Sequence, residues 1–317
     1  MAIRGRIFFH APCFDGLVSA ALTADFLTES GRWAAAIPAG VNYGLPRPWA
    51  ADPKGPFAIV DFVFDARAEF WADHHATTFE NEGARRLFTS AGQPSWLYDP
   101  TAPSCARLLW DRLKQVFGYR NRRFKAMVGW ATKIDSAAYR SVEEVFDSTH
   151  AALRLNLALS QLDLKACERL VRVLRREDLD TAAAQPTIRK AADRARALSD
   201  RGLEKFRRSA RLEDDIVVFD VDASDSIVNR YAPYRFFPKA RYSAGIIRGK
   251  DQVKITAMRN PWKRFRSAPL GEIFRPHGGG GHQRVASVVL EAAAARRAPD
   301  VLAKVVSKIL EQDRASA

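Results

Sequence analysis

The chain has 317 residues, of which 47% are hydrophobic, and carries a formal net charge of +14. This length predicts two domains with sizeable cores. The sequence has no run of about 18 apolar residues that would predict a membrane span, and its start lacks the apolar region of a signal peptide. Three widely spaced cysteines favour a reducing cytoplasm over a disulfide scaffold.

Short apolar strands alternate with helical patterns in the first half of the chain. Strands are predicted at residues 7–9, 57–60, 70–72 and 96–98, and helices over 16–27 and 104–117. This alternation is typical of a mostly parallel sheet covered by helices on both faces. Functional sites in such folds lie beyond the carboxyl ends of the strands. His10, Asp61 and Asp73 each follow a predicted strand.

Helical patterns dominate residues 124–176, and a basic helix is predicted over 187–210. Strand patterns return at 216–221, 242–247 and 253–258, and a helix is predicted over 298–313. We therefore predict a first domain over 1–184, a connecting helix over 185–212 and a smaller α/β domain over 213–317.

Potential metal ligands cluster near the ends of the apolar segments. Asp73-His74-His75 directly follows an apolar strand, and His10, Asp15, Asp61 and Asp135 lie near other segment ends. Carboxylates and imidazoles in this number suit a pair of divalent metal ions that clamp a phosphodiester. Taken alone, the other four each have an ordinary explanation as a cap, a strand end or a structural histidine.

The combination of these motifs resembles the DHH phosphoesterase superfamily with its DHH-associated C-terminal domain. Matching segments, in the order of that superfamily, are residues 10–16, 59–61, 73–75, 133–136 and 278–287. The superfamily includes RecJ-like exonucleases, nanoRNases, phosphatases of phosphoadenosine phosphate, cyclic-dinucleotide phosphodiesterases and family II inorganic pyrophosphatases. The resemblance implies an α/β fold in which a mostly parallel sheet flanked by helices is joined to a smaller α/β domain. It also implies an active site in the cleft between these domains.

The resemblance further implies roles for individual residues. The implied ligands are His10, Cys13, Asp15, Asp61, His74 and Asp135. Asp61 would bridge two ions, Asp73 would support the ligands without binding an ion itself, and His75 would face the substrate phosphate. Asp61, Asp73 and His75 form the implied catalytic set. The expected cofactor is one or two divalent ions, with Mn²⁺ preferred and Mg²⁺ or Zn²⁺ as alternatives.

Cys13 departs from the commonest form of the first motif, which has two aspartates separated by one residue. Here Cys13 and Asp15 stand at those positions, and a subset of the superfamily has a similar His-x-x-Cys-x-Asp-Gly pattern. Cys13 is either a thiolate ligand, which favours a softer ion such as Zn²⁺, or a small buried residue beside a one-metal site.

The candidate substrate-binding residues lie in the second domain. Gly278 to Gly281 leave the backbone free to approach an anion, with a flexible loop or a helix cap as the alternative, and a helix is expected to begin just after this run. The residues expected to bind substrate are Arg259, Trp262, Gly279, Gly280, Gly281, His282 and Arg284. The basic and aromatic stretch 260–266 suits single-stranded nucleic acid, unless its rings pack on the domain core. The aromatic run 231–237 is more typical of core.

These features predict a metal-dependent phosphoesterase in which metal-activated water attacks phosphorus. The positive charge favours a polyanionic partner, with solubility as the alternative explanation. A short single-stranded oligonucleotide is the first choice of substrate. The alternatives are a 3'-phosphorylated adenosine nucleotide, a cyclic dinucleotide and, without base contacts, pyrophosphate or polyphosphate. A catalytically weak nucleic-acid-binding or regulatory protein is the alternative from another class.

Overall fold

The computed structural model describes residues 3–43, 46–47, 55–281 and 283–314. The chain divides into two compact units. The first comprises the chain up to Tyr139 together with Asp147–Arg194, and the second comprises Arg140–Phe146 and the chain from Ala195. The functional domain boundaries given above stay predictions.

The first unit is built on a parallel sheet with the strand order β2-β1-β3-β4-β5. Its strands are β1 (Arg4–His10), β2 (Ala35–Val41), β3 (Phe57–Val60), β4 (Phe70–Asp73) and β5 (Trp96–Tyr98). The helices up to the unit boundary are α1 (Phe14–Glu29), α2 (Glu82–Ala91), α3 (Cys105–Phe117), α4 (Lys125–Asp135), α5 (Val142–Phe146), α6 (Ala151–Leu159), α7 (Leu164–Leu174), α8 (Leu179–Ala184) and α9 (Pro186–Ser209). Of these, α5 belongs to the second unit and α9 runs across the boundary.

Both faces of this sheet are buried, because successive side chains of a strand point to opposite faces. Ile7 and Phe9 of β1 enter the core that α1, α3 and α7 cover. Phe8, between them, enters an aromatic cluster on the other face together with Trp71. Strands buried on both faces have nearly continuous apolar sequences, which is why β3 and β4 were visible in the sequence. The predicted helix-flanked, mostly parallel sheet is confirmed.

The second unit has a mixed sheet with the order β10-β11-β9-β8-β7-β6. The pair β7–β8 is parallel and the other neighbouring pairs are antiparallel. Its strands are β6 (Arg211–Glu213), β7 (Ile216–Asp222), β8 (Tyr242–Arg248), β9 (Gln252–Arg259), β10 (Gly280–Gly281) and β11 (Val285–Glu291), and its further helices are α10 (Ala232–Phe236), α11 (Leu270–Phe274) and α12 (Ala298–Arg314). Val301, Val305 and Ile309 of α12 pack into the core of this unit.

The prediction of a helix just after the glycine run is wrong. Strand β11 follows there and pairs with β9 along its whole length, from Val285 opposite Met258 to Glu291 opposite Gln252. Ala286 and Val288 are buried and alternate with more exposed neighbours, as is typical of a half-buried strand. None of the described helices is long and apolar enough to cross a membrane.

Candidate metal centre

The parallel register gathers the predicted site residues at one edge of the first sheet. Phe9 lies opposite Val60, and Val60 lies opposite Ala72. The next residues along these three strands are His10, Asp61 and Asp73. Since parallel strands end at the same edge, their side chains meet beyond the carboxyl end of the sheet.

Asp61 occupies the centre of this group. Its backbone adopts a left-handed conformation with φ of 55°, which is uncommon outside glycine and is often found at functional sites. The carboxylate is 1% exposed, and no nitrogen or oxygen donor among the described residues forms a hydrogen bond to it. Its Oδ2 lies 3.6 Å from His10 Nδ1, and its Oδ1 lies 3.9 Å from His74 Nε2. Oδ2 therefore faces the His10 imidazole, and Oδ1 faces that of His74 and also that of His75, whose Nδ1 lies 3.8 Å away.

Neighbouring backbone and carboxylate groups set the tautomer of both histidines. His74 Nδ1 lies 3.0 Å from the Ala102 carbonyl oxygen. Because a carbonyl oxygen can only accept a hydrogen bond, Nδ1 carries the proton and Nε2 has a free electron pair. His75 Nδ1 lies 2.8 Å from Asp73 Oδ1, which also accepts from the backbone N–H of His74 at 2.8 Å. Asp73 thus orients His75 directly, and it supports His74 through the backbone.

Asp15 is held at the N-terminus of α3. Its two oxygens accept hydrogen bonds from the backbone N–H groups of Cys105 at 2.6 Å and Ala106 at 2.9 Å. The helix N-terminus stabilises a negative charge there. Asp15 Oδ2 also lies 3.8 Å from His74 Nε2, and Asp135 Oδ2 lies 3.4 Å from the same nitrogen.

Six of the potential ligands form two sets that adjoin at Asp61, and a third group, of Asp61, Asp73, His74 and His75, overlaps both. Ligand atoms of His10, Cys13 and Asp61 lie within 4.8 Å of one another, and so do those of Asp15, His74 and Asp135. Asp61 belongs to the first set and, through Oδ1, faces the histidine of the second. The six ligands that the resemblance implies therefore lie in two sets joined at Asp61, although their roles as ligands stay predictions.

Burial and like charges shift the pKa values at this centre. Burial, and then repulsion by Asp15, Asp73 and Asp135, raises the pKa of Asp61 well above its usual range. The pKa of Asp15 is raised to about 7 by burial and then by Asp135, against the stabilising N–H groups of α3. Burial lowers the pKa of His10 to about 4. A bound cation would relieve this crowding of carboxylates.

The electron-pair donors at this centre fit a divalent metal ion. His10 Nδ1, His74 Nε2 and both oxygens of Asp61 are buried and have no hydrogen-bond partner among the described residues. Buried polar atoms are normally satisfied, so a group of unsatisfied electron-pair donors that face one another is typical of a cation site. Oxygen and imidazole ligands suit Mn²⁺ or Mg²⁺, whereas a Cys13 thiolate would add a preference for Zn²⁺.

Sequence reasoning missed the groups that support these side chains. These groups are the carbonyl of Ala102 and the N–H groups of Cys105 and Ala106. Because every residue has such main-chain groups, the residue types at these positions do not indicate a supporting role. Ser104 at the N-cap of α3, whose side chain accepts from the Arg107 N–H, is the visible sign that a helix begins there.

In the second unit, Arg259 ends β9 as predicted. One guanidinium nitrogen donates to the carbonyls of Lys263 and Phe265, each at 2.8 Å, and the guanidinium lies 4.4 Å from the centroid of the Phe265 ring. Burial, and then the charge of Arg284, lowers the pKa of Arg259. Much of this side chain is therefore used to shape its own loop, and its predicted contact with a phosphate stays a prediction.

The glycine run has a structural requirement of its own. A Cβ on Gly279 would lie 2.6 Å from the Ser287 carbonyl oxygen, and one on Gly281 would lie 2.3 Å from that of Val285. These glycines let β10 approach β11 closely, so the run does not by itself show anion binding. Gly280, whose Cβ would meet no described atom within 4 Å, is free of this constraint.

Trp262 packs on the core of its unit rather than standing free. Its ring centroid lies 5.8 Å from that of Tyr231 and 6.1 Å from that of Tyr234, and both tyrosines are buried. This favours the alternative in which the rings of the 260–266 stretch support the fold. Arg284 is exposed, and His282 lies outside the described residues, so both keep their substrate roles only as predictions.

The comparisons with known proteins agree with this geometry. No protein-family model and no curated protein matches the sequence. Among solved structures, the chain is similar to the pGpG-specific phosphodiesterase PggH from Vibrio cholerae, with a TM-score of 0.67 and 20% identity over 97% of this chain and 99% of that one. It is also similar to the DHH domain of a member of the s1p family of ribosomal proteins, with a TM-score of 0.53 and 11% identity over 98% and 87% of the two chains.

The chain has the DHH fold. A third structure with this fold is RecJ in complex with Mn²⁺ from Thermus thermophilus, with a TM-score of 0.62 and 16% identity. The match covers 98% of this chain but only 52% of RecJ, so the chain spans about half the length of that protein. The fold that the resemblance to the DHH superfamily implies is thus confirmed, while the His-x-x-Cys-x-Asp-Gly variant of the first motif stays a prediction.

Proposed function

We propose that the protein is a metal-dependent phosphodiesterase that hydrolyses short single-stranded oligonucleotides. The observation that carries this proposal is the group of buried, unsatisfied donors around Asp61 at the carboxyl edge of a DHH-type sheet. His10, Asp15, Asp61, His74 and Asp135 would hold the metal, with Cys13 as a further candidate. When bound, divalent ions polarise phosphate oxygens and lower the pKa of water.

The protein's own groups position the substrate phosphate. Burial disfavours the charged form of His75, but the hydrogen bond and charge of Asp73 outweigh it, and the pKa of His75 is raised. Its Nδ1–H donates to Asp73, so in the protonated imidazole, which the raised pKa favours, Nε2–H can be donated to a phosphate oxygen as charge builds up there. Asp73 has no direct contact with phosphate in this scheme and acts by orienting His75.

A basic surface on the first unit supports an oligonucleotide as substrate. Arg107, Arg120, Arg122 and Lys125 line a cavity of about 510 Å³ together with Trp110. The Arg120 guanidinium lies 4.9 Å from the Trp110 ring centroid. Cations that take the phosphates beside an aromatic ring are typical of single-strand binding. Similarity to a pGpG-specific phosphodiesterase along nearly all of both chains makes a linear dinucleotide the first substrate to test.

A hydrolysis screen tests the proposal. Wild-type protein with Mn²⁺ would be assayed on a linear dinucleotide, a 12-nucleotide single strand, a cyclic dinucleotide, phosphoadenosine phosphate and polyphosphate. We expect release of mononucleotides from the linear substrates and loss of this activity in a chelator. Cleavage of polyphosphate or phosphoadenosine phosphate alone would contradict the proposal. Tight binding of the single strand without turnover would favour the binding or regulatory protein considered above.

The role of Cys13, as a metal ligand or as a packing residue, bears on which metal the centre prefers. If its sulfur is a ligand, a neighbouring dication must hold it as a thiolate, although burial and the nearby Asp61 and Asp15 raise the thiol pKa in the metal-free protein. We then expect Cys13→Ala to lose one bound ion and at least about tenfold in activity, the effect typical of a lost supporting ligand. Cys13→Asp should restore an all-oxygen pair and shift activity from Zn²⁺ toward Mn²⁺ or Mg²⁺.

Metal content of the purified variants, measured by elemental analysis, separates the two roles. Cys167→Ala is the matched control, because Cys167 is buried in the core that α7 shares with the sheet, away from the ligand sets. Full metal content and near-normal turnover in Cys13→Ala would show that Cys13 only packs beside the site.

A further inference from the structure

Tyr43 is the most exposed aromatic side chain among the described residues, with 55% of its surface accessible. It lies two residues after the end of β2. Its ring centroid is 4.3 Å from that of Phe62, with 37° between the ring planes, and 5.2 Å from that of His10, with 70° between them. One part of the ring is therefore packed and the remainder faces outward at the rim of the metal centre.

The backbone beside Tyr43 is tied to the loop that carries the site. The Ala11 N–H donates to the Val41 carbonyl at 2.8 Å, and the Asn42 side chain donates to the Ala11 carbonyl at 3.0 Å. Ala11 directly follows His10, whose Nδ1 lies 3.6 Å from Asp61. The chain up to Asn42 is thus tied to the segment that carries His10, and the Tyr43 ring itself is placed by its contacts with Phe62 and His10.

An outward-facing ring held at such a place suits a planar, apolar ligand group. Burying an aromatic face against another ring is favourable, and a tyrosine exposes both an apolar face and a polar tip. In a nucleotide the base is joined to the phosphate through the sugar, so a phosphate at the metal centre leaves its base close to the rim. Neither pyrophosphate nor polyphosphate has a group that could use this ring.

We propose that Tyr43 is a stacking subsite for the base of a nucleotide whose phosphate is bound at the metal centre. This inference rests on the proposed phosphodiesterase function and adds to it the class of ligand that the site selects, a nucleoside phosphate. Stacking of this kind accepts every base, because each base has a π-face. The subsite therefore distinguishes nucleotides from inorganic phosphates, without choosing among sequences.

The alternative is that Tyr43 only packs against His10 and Phe62 and so stabilises the ligand histidine. The two roles differ in their dependence on the base. A stacking subsite acts only on substrates that have a base, whereas a packing residue changes the rate on all substrates by the same factor. The ratio of kcat/KM between a normal and a base-free dinucleotide separates them.

The experiment uses a 5'-phosphorylated dinucleotide and its analogue in which tetrahydrofuran replaces both nucleosides. With Mn²⁺, we expect the wild-type protein to prefer the normal dinucleotide by about 5- to 100-fold, as stacking of one base would give. Tyr43→Ala should reduce this ratio to near 1, chiefly by raising KM for the normal dinucleotide, and Tyr43→Phe should retain it. Ile37→Ala, which shortens an exposed apolar side chain on β2, is the matched control and should keep the wild-type ratio.

An unchanged ratio in Tyr43→Ala, whether its activity is normal or is reduced equally on both substrates, would overturn the stacking subsite. A wild-type protein that cleaves neither dinucleotide would instead contradict the proposed function. In that case, binding of a dinucleotide containing 2-aminopurine, measured by fluorescence quenching, still tests Tyr43. Quenching that Tyr43→Ala removes and Tyr43→Phe retains would support the subsite, and quenching equal in all three proteins would refute it.

Discussion

Asp61→Asn should lower turnover by at least roughly 100-fold, the loss typical when one preorganised electrostatic group is removed from an active site. Asn keeps the shape of the side chain but removes the charge that faces both ligand sets through Oδ1 and Oδ2. Steady-state hydrolysis of a dinucleotide and metal content by elemental analysis check this result. Asp193→Asn, on the exposed surface of α9, is the matched control and should retain wild-type activity.

The same substitution should stabilise the metal-free protein. In a chelator, the folded protein keeps protons on Asp61 and on Asp15, whose pKa is raised to about 7, while these carboxyls in the unfolded chain release them near pH 4. The folded state then binds more protons than the unfolded state, so the free energy of unfolding should fall as the pH rises from about 4 to 7 and above. Asp61→Asn should make this fall shallower.

Thermal unfolding across this pH range, with and without Mn²⁺, measures the effect. Mn²⁺ should raise the melting temperature of the wild-type protein and have little effect on Asp61→Asn, because the ion binds the folded state through the removed charge. An Asp61→Asn protein that is folded, contains normal metal and turns over at the wild-type rate would remove Asp61 from the metal centre. A stability profile in which the variant and wild type coincide would show that the carboxylate is not crowded.

Elements with strong local patterns could be predicted from the sequence, whereas those that depend on tertiary context could not. Strands β3 and β4 are apolar runs because both faces of the sheet are covered. Strand β2 was missed, since Pro38 and Gly40 interrupt its pattern. It stands at the edge of the sheet, where a proline is tolerated. The strand that replaces the expected helix after the glycine run is specified by pairing with β9, which lies far away in the sequence.

The candidate site also has parts that could be predicted from the sequence and parts that could not. Candidate ligands could be identified because carboxylates and imidazoles at strand ends are chemically distinctive. Their supports could not, because the Ala102 carbonyl and the α3 N–H groups are main-chain atoms brought to the site by packing. Tyr43 lies two residues after β2 and belongs to no recognisable motif, so only its contact with His10 makes it a candidate. Trp262, by contrast, was predicted to bind substrate because tryptophan is distinctive in a sequence, but its ring packs on Tyr231 and Tyr234.

Gly16→Ala should disrupt the metal centre as strongly as the loss of a ligand. A Cβ at position 16 would lie 2.1 Å from the His10 carbonyl oxygen and 3.1 Å from Asp61 Oδ2. The first contact is with backbone, so it can be relieved only if the start of α1 moves away from the end of β1. That movement would displace Asp15 from the N–H groups of α3 and from His74. We expect at least roughly 100-fold lower turnover, as for a misplaced catalytic group, and about 1–3 kcal/mol lower stability from overpacking.

Gly129→Ala is the matched control for metal content and stability, because it makes the same change inside a helix of the same unit. Gly129 also lines the basic cavity, so hydrolysis by this variant is not part of the control. A Cβ on Gly129 would meet no described atom within 4 Å, and an alanine in the middle of α4 should stabilise the helix by roughly 0.5–1 kcal/mol. Gly16→Ala should therefore lose metal and melt at a lower temperature than the wild type, whereas Gly129→Ala should keep its metal and melt at the same or a higher temperature. If Gly16→Ala retains its metal and turns over like the wild type, the close approach of α1 to β1 does not position the site, and Asp15 need not be held where the structure places it.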